Sequence, residues 1–109
     1  MSDLANQSCV PSRPGTPALH GEALHALEKR LGHDWKVVEG PRLEKTFKFP
    51  NFVDALAFVN RVGEVAEQEG HHPDVELGWG RVKIILWTHS IGGLSESDFV
   101  LAAKAEKRL

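Results

Sequence analysis

The sequence lacks most features that mark secreted, membrane-bound or nucleic-acid-binding proteins. A single cysteine, Cys9, excludes an internal disulfide and favours a reducing compartment, so we expect a cytoplasmic protein. No apolar run approaches the ~20 residues that span a bilayer, and the N-terminus lacks the basic and apolar blocks of a signal peptide. The net charge is −2 and the Lys and Arg residues are scattered, which argues against nucleic acid as a partner. We therefore expect a soluble protein with neither a membrane nor a nucleic acid as its partner.

The length and composition predict one globular domain. A chain of 109 residues with 41% apolar and 26% charged residues can bury an ordinary hydrophobic core. Residues 1–15 are polar, contain Pro11 and Pro14 and show no apolar period, so they are predicted to form a disordered tail. The predicted domain therefore comprises residues 16–109.

The first part of this domain reads as a helix followed by a hairpin. Thr16 and Pro17 are typical of a helix start and Gly32 of a helix end, which predicts a first helix over 17–31. Short strand-like segments at 35–39 and 43–49 flank a glycine- and proline-containing turn. The second segment alternates apolar and polar residues, as expected of a strand with one covered face.

A second helix and a second hairpin follow. Asn51 can cap the helix and Gly70 ends it, with a predicted core stripe of Phe52, Leu56, Val59, Val62 and Ala66. The hairpin pairs 74–77 with 81–88 across a turn at 78–80. A capping-box-like Ser95-Glu96-Ser97-Asp98 opens a third helix that ends in Lys107-Arg108. The order α-β-β-α-β-β-α predicts an α+β domain, a four-stranded antiparallel sheet with helices packed on one face.

Three histidines lie at the ends of these elements. His71 and His72 follow the second helix, directly before Pro73, and His89 ends the last strand. Histidine exchanges protons near neutral pH because its ordinary pKa is ~6.5, so the group points to acid–base chemistry. A zinc site is the alternative interpretation. Adjacent residues of an extended chain project to opposite sides, so His71 and His72 cannot easily bind one ion, and no cysteine is near. We therefore predict no metal.

Nucleophilic catalysis is a weaker alternative. Ser90 and Ser95 lie close to His89 in the sequence. Neither stands in the strand-turn-helix elbow that presents a catalytic serine.

The motifs around the histidines resemble those of the pterin-4a-carbinolamine dehydratases. The similar stretches are Glu67-x-x-x-His71-His72-Pro73, Thr88-His89 and Gly93-Leu94-Ser95-Glu96-x-Asp98, within a resemblance that covers roughly residues 16–108. The resemblance implies dehydration of 4a-hydroxytetrahydropterin to quinonoid dihydropterin, which recycles a tetrahydropterin cofactor. It also implies that the pterin is a substrate and that neither a metal nor another cofactor is needed.

The resemblance also assigns site residues and an assembly state. It implies that the catalytic residues are His71, His72 and His89, with His72 and His89 the candidates for proton transfer, and that the substrate-binding residues are Glu67, Pro73, Asp98 and Trp35. It further implies a homodimer or homotetramer. The sequence departs from the family pattern at Gly70, Val75 and Ser97, which bears on substrate affinity more than on reaction type.

A non-catalytic function is the alternative. Some proteins on this scaffold act as dimerisation cofactors of a transcription factor or assist Rubisco assembly, and a fold does not fix a function. A scaffold of that kind has no need of all three histidines together with Glu67, so the residues favour the enzyme.

Overall fold

The chain folds into a four-stranded antiparallel sheet with three helices, which confirms the predicted α+β class. The computed structural model describes residues 4–109. Its elements are α1 (Gly21–Leu31), β1 (Lys36–Val38), β2 (Arg42–Lys48), α2 (Phe52–Glu69), β3 (Asp74–Gly78), β4 (Arg81–Leu86) and α3 (Glu96–Glu106), with short 3-10 turns at Leu4–Asn6 and His89–Ile91. The strand order is β1-β2-β4-β3, so the two hairpins join through β2 and β4. Within residues 4–109, no helix combines the length and apolarity needed to cross a membrane.

The sheet covers the core with one face. Leu43 pairs with Leu86, and Phe47 pairs with Val82, and all four side chains are buried. They pack with Phe58 of α2, whose ring centroid lies 4.7 Å from that of Phe47. Glu44, Thr46 and Lys48 alternate with Leu43 and Phe47 and lie on the other face, which is the pattern that predicted this sheet.

Helix α1 begins later than the sequence predicted. The proposed start at Thr16-Pro17 is wrong, because the helix begins at Gly21 and His20 is its N-cap. Residues 16–20 are not helical, and the backbone N–H of Leu19 donates to the carbonyl of Leu94 at 2.8 Å. A tertiary hydrogen bond therefore takes precedence over the local capping signal. The predicted end at Gly32 is confirmed.

Helix α2 has the predicted caps but a rotated buried face. The side chain of Asn51 accepts a hydrogen bond from the N–H of Asp54, and Gly70 ends the helix in the left-handed conformation. The buried residues are Ala55, Phe58, Val62, Val65 and Ala66. The predicted stripe is therefore wrong at Phe52 and Leu56, which are exposed.

Helix α3 lies at the centre of the fold, which explains why most of its surface is apolar. All residues from Ser97 to Ala103 are buried, and the helix contacts both α1 and α2. The N-terminal 3-10 turn packs on its remaining side, with Leu4 fully buried. Residues 4–12 thus pack against the domain where the sequence indicated a disordered tail. Residues 1–3, which belong to the same predicted tail, lie outside the described residues.

Candidate active site

The end of helix α2 places the histidine pair. Gly70 has a φ of 66°, a conformation that glycine adopts without a steric penalty, and its N–H donates to the carbonyl of Ala66. The N–H of His71 reaches the same carbonyl at 3.3 Å. This tight helix end turns the chain toward β3 and directs His71 to the helix α3 side.

His71 is held by a buried carboxylate. Its Nε2 lies 2.6 Å from Oδ1 of Asp98, and the two side chains are 15% and 0% exposed. An ionised carboxylate can only accept hydrogen bonds, so Nε2 of His71 carries the proton of this contact. In the neutral ring the other nitrogen, Nδ1, is then the basic one. The pair fixes the tautomer and orientation of an imidazole, as a carboxylate does in catalytic triads.

The second oxygen of Asp98 is bound by the start of helix α3. Oδ2 accepts a hydrogen bond from the N–H of Ser95 at 2.9 Å and another from Oγ1 of Thr88 at 2.8 Å. The hydroxyl of Thr88 also lies 2.7 Å from that of Ser95. Asp98 therefore joins the α3 cap, the end of β4 and His71. The prediction that Asp98 caps the helix and the prediction that it belongs to the site are both consistent with this geometry.

His72 has a carboxylate partner of its own, at the surface. Its Nε2 lies 2.6 Å from Oε2 of Glu67, which is placed one helical turn earlier on α2. The side chains of His72 and Glu67 are 59% and 79% exposed, so water screens this pair far more than the buried one. The carboxylate of Glu67 thus contacts the His72 imidazole, whereas the resemblance assigned Glu67 to substrate binding.

His89 packs against an aromatic side chain rather than against a carboxylate. Its ring centroid lies 3.9 Å from that of Trp87, with the planes inclined by 51°. The guanidinium of Arg42 lies 3.6 Å from the Trp87 centroid, a cation–π contact that positions the indole. The ring nitrogens of His89 make no hydrogen bond to residues 4–109, so they are available to a ligand.

The three histidines line one pocket of about 250 Å³. The complete lining is Pro11, Ser12, Gly70, His71, His72, Trp87, Thr88, His89 and Ser90. This volume is just below the ~300–1,000 Å³ of typical small-molecule sites, so it suits a compact ligand. The helix–strand junction and the end of β4, far apart in sequence, thus meet at one surface.

All four predicted substrate-binding residues lie outside this lining, although Asp98 and Glu67 contact its histidines His71 and His72. Trp35 is a core residue, 3% exposed, whose indole N–H donates to Glu106 of α3 at 2.9 Å. Pro73 lies between the histidine pair and β3, where it fixes the backbone after His72. Among residues 4–109, no group of three His, Cys, Asp or Glu side chains is placed to hold a metal ion.

Several lining residues were not assigned to the site by the sequence. Trp87 received no role, and Thr88 was quoted only as part of a motif. Their position directly before His89 at the end of a strand is a signal that could have identified both. Pro11 and Ser12 carried no such signal, because nothing local shows that a polar N-terminal segment returns to the pocket.

Comparisons with known proteins show the family of this chain. The sequence model of the pterin 4 alpha carbinolamine dehydratase family matches residues 17–108. A protein of Rubrobacter xylanophilus is 52% identical, over 98% of this chain and 99% of the relative. One from Alkaliphilus metalliredigens is 50% identical over 99% and 97%. Both are provisionally named pterin-4-alpha-carbinolamine dehydratase.

Two solved structures extend the comparison. The crystal structure of a transcriptional coactivator/pterin dehydratase from Brucella melitensis matches with a TM-score of 0.79 and 29% identity, over 84% of this chain and 98% of that one. A pterin dehydratase-like protein identified as a RuBisCO assembly factor in the alpha-carboxysome matches at 0.61 and 26%, over 72% and 92%. By the family match and by relatives of this identity over nearly its full length, this chain belongs to the pterin-4a-carbinolamine dehydratase family.

Proposed function

We propose that this protein dehydrates 4a-hydroxytetrahydropterin to quinonoid dihydropterin by histidine acid–base catalysis. The reaction breaks the bond between the 4a-carbon and its hydroxyl and removes the proton of the adjacent ring nitrogen. A carbon–nitrogen double bond forms, and the hydroxyl leaves as water after it has gained a proton. The step therefore needs one acid and one base on either side of a compact bicyclic ring. The observation that carries the proposal is the convergence of His71, His72 and His89 on one small pocket.

The contacts of the histidines support different tasks for each of them. His71 is the most rigidly held, because buried Asp98 accepts its Nε2–H. It would orient the ring or contact the 4a-hydroxyl, and the carboxylate would stabilise its protonated form. His72 and His89 are the more exposed rings, and they are our candidates for the two proton transfers. Solvent access lets each ring regain its starting protonation state between turnovers.

A homodimer or homotetramer is part of the proposal. Helix α2 exposes three apolar side chains at its N-terminal end, with Phe52 43%, Val53 72% and Leu56 40% exposed. Adjacent exposed apolar residues favour a protein partner. In addition, β1 and β3 are edge strands of a short sheet, and edge strands favour pairing with a further strand.

Stopped-flow absorbance of chemically generated 4a-hydroxytetrahydropterin, with and without the protein, tests the activity. We expect acceleration by the wild type and a loss of about 10²-fold or more in His72→Ala and His89→Ala, the scale of lost acid–base catalysis. His25→Ala is the matched control, because His25 is 80% exposed and lies on α1 outside the pocket. Wild-type rates in both folded site variants would refute the histidine assignment.

A non-catalytic assembly role is the second candidate, favoured by the similarity to the RuBisCO assembly factor. The two functions predict different effects of a substitution in the pocket. An assembly factor would capture its partner equally well after His89→Ala, whereas a dehydratase would lose turnover. A folded wild-type protein that leaves the decay of the carbinolamine unchanged would favour assembly.

A further inference from the structure

The N-terminal segment, residues 8–13, forms one side of the histidine pocket. Pro11 and Ser12 line it together with the three histidines. The family match begins at residue 17, so this side of the pocket lies outside the part of the chain that the family model describes. The position of the segment is therefore explained from its own contacts.

The segment is fixed in place by hydrogen bonds on three elements. The N–H of Cys9 donates to Oε1 of Glu69 on α2 at 2.8 Å. The hydroxyl of Ser97 on α3 accepts from the N–H of Val10 at 2.8 Å and donates to the carbonyl of Val10 at 3.0 Å. Ser90, after β4, donates its hydroxyl to the carbonyl of Ser12 at 2.8 Å. These contacts hold the backbone on both sides of Pro11.

An upstream anchor keeps the segment from withdrawing. Leu4 is fully buried against α3, and Nζ of Lys104 donates to the carbonyl of Ala5 at 2.8 Å. The chain between this anchor and Ser12 is short and bonded at Cys9 and Val10. The wall at Pro11 and Ser12 is therefore positioned by the fold rather than by the ligand.

We propose that Pro11 and Ser12 are the wall that limits the size of the pterin this pocket accepts, and that Ser97 is the positioning residue that holds this wall. The proposal rests on the proposed function, since the ligand is taken to be a pterin. The hydroxyl of Ser12 makes no hydrogen bond to residues 4–109, so it is available to the polar edge of such a ring. Pro11 supplies an apolar surface that needs no hydrogen bond from the ligand.

A bulky side chain at Ser12 should fill the pocket. In isothermal titration calorimetry with dihydrobiopterin, we expect Ser12→Trp to raise Kd at least ten-fold. Ser8→Trp is the matched control, because Ser8 is exposed on the same segment but does not line this pocket. We expect the control to bind within two-fold of the wild type. Equal Kd values for the two variants, whether raised or unchanged, would refute the proposal that Ser12 forms part of the pocket wall.

Loosening the wall tests the same inference without crowding the pocket. Ser97→Ala removes both hydrogen bonds to Val10, and Ser97 does not line the pocket. In the stopped-flow assay we expect KM to rise about three- to ten-fold with kcat within two-fold, because ground-state and transition-state binding weaken together. Ser97→Thr retains the hydroxyl and should restore KM. A lowered kcat at unchanged KM would instead place the effect on neighbouring Asp98 and overturn the proposal.

The two proposals fail in distinguishable ways. A wild type that binds and dehydrates its pterin, with Ser12→Trp and Ser97→Ala unaffected, overturns the wall and leaves the proposed function intact. A folded wild type that binds no dihydrobiopterin and accelerates no dehydration overturns both.

Discussion

Replacing Asp98 by Asn should invert the tautomer of His71 while keeping the shape of the site. The N–H of Ser95 and the hydroxyl of Thr88 both donate to Oδ2, whereas His71 contacts Oδ1. A backbone N–H can only donate, so the amide oxygen of an asparagine must occupy the Oδ2 position. Its NH2 group then faces Nε2 of His71, which must accept instead of donate. The proton of the neutral ring moves to Nδ1, so Nδ1 can no longer act as the basic nitrogen.

The size of the effect follows from this geometry. In a Ser-His-Asp triad the same change costs about 10⁴ in kcat through the wrong tautomer. We expect a smaller loss of about 10²- to 10³-fold in Asp98→Asn, because the proposal assigns the two proton transfers to His72 and His89 and gives His71 the task of orienting the ring or contacting the 4a-hydroxyl. The variant retains the hydrogen bonds of the α3 cap and loses mainly charge, so its free energy of unfolding should fall by only about 1–2 kcal/mol.

Stopped-flow turnover and urea denaturation measure the two effects separately. Glu67→Gln is the matched control, since it makes the same chemical change at His72 but in an exposed pair. Exposed pairs contribute ~0.2–1 kcal/mol, so its kcat should change less than about five-fold. Wild-type kcat in folded Asp98→Asn, or an equal loss of kcat in both variants, would show that burial of the His71–Asp98 pair has no effect on turnover.

Three further predictions concern the rest of the fold. Burial raises the pKa of the Cys9 thiol from 9.0 to about 11, so alkylation by iodoacetamide at pH 8 should be ~100-fold slower in the native protein than in urea; equal rates would contradict it. The Cys9 N–H lowers the pKa of Glu69 below 4.5, with help from Lys104. The stabilisation by Glu69 is then complete above pH 4.5 and lost as the pH falls through the folded-state pKa, so Glu69→Gln should be less stable at pH 7 by urea denaturation, and the difference should shrink as the pH falls below 4.5; a constant difference would exclude this linkage. Val53→Asp should lower the oligomer mass in light scattering, whereas Val10→Asp, also an exposed valine, should not; an unchanged mass in Val53→Asp would exclude the α2 patch.

The sheet and the element order could be predicted from the sequence because their signals are local. Strand alternation and turn residues set both hairpins, and they do not depend on distant groups. The start of α1 and the buried face of α2 could not be predicted in the same way. Helix α2 carries apolar residues on more than one face, so its sequence fits two stripes, and tertiary packing selects the one with Ala55 and Phe58.

The histidine positions of the site could be predicted from the sequence, whereas the N-terminal wall of the pocket could not. The three rings were found from the motifs, and Asp98 and Glu67 from the family resemblance. The wall at Pro11 and Ser12 depends on contacts with residues about 60 to 90 positions away, such as that of Val10 with Ser97. Hydrogen bonds over such separations leave no periodic trace in a sequence.

Asp98 both caps α3 and binds His71, and this double role changes how related sequences should be compared. Any selection for a stable fold retains this carboxylate, because it caps α3 and binds Thr88 even in a protein with no chemistry to perform. Its presence in a relative is therefore poor evidence for an enzyme. His89 gives no such support to the fold beyond its contact with Trp87. A relative that keeps Asp98 but has lost His89 is the pattern we would expect of a scaffold that has given up catalysis.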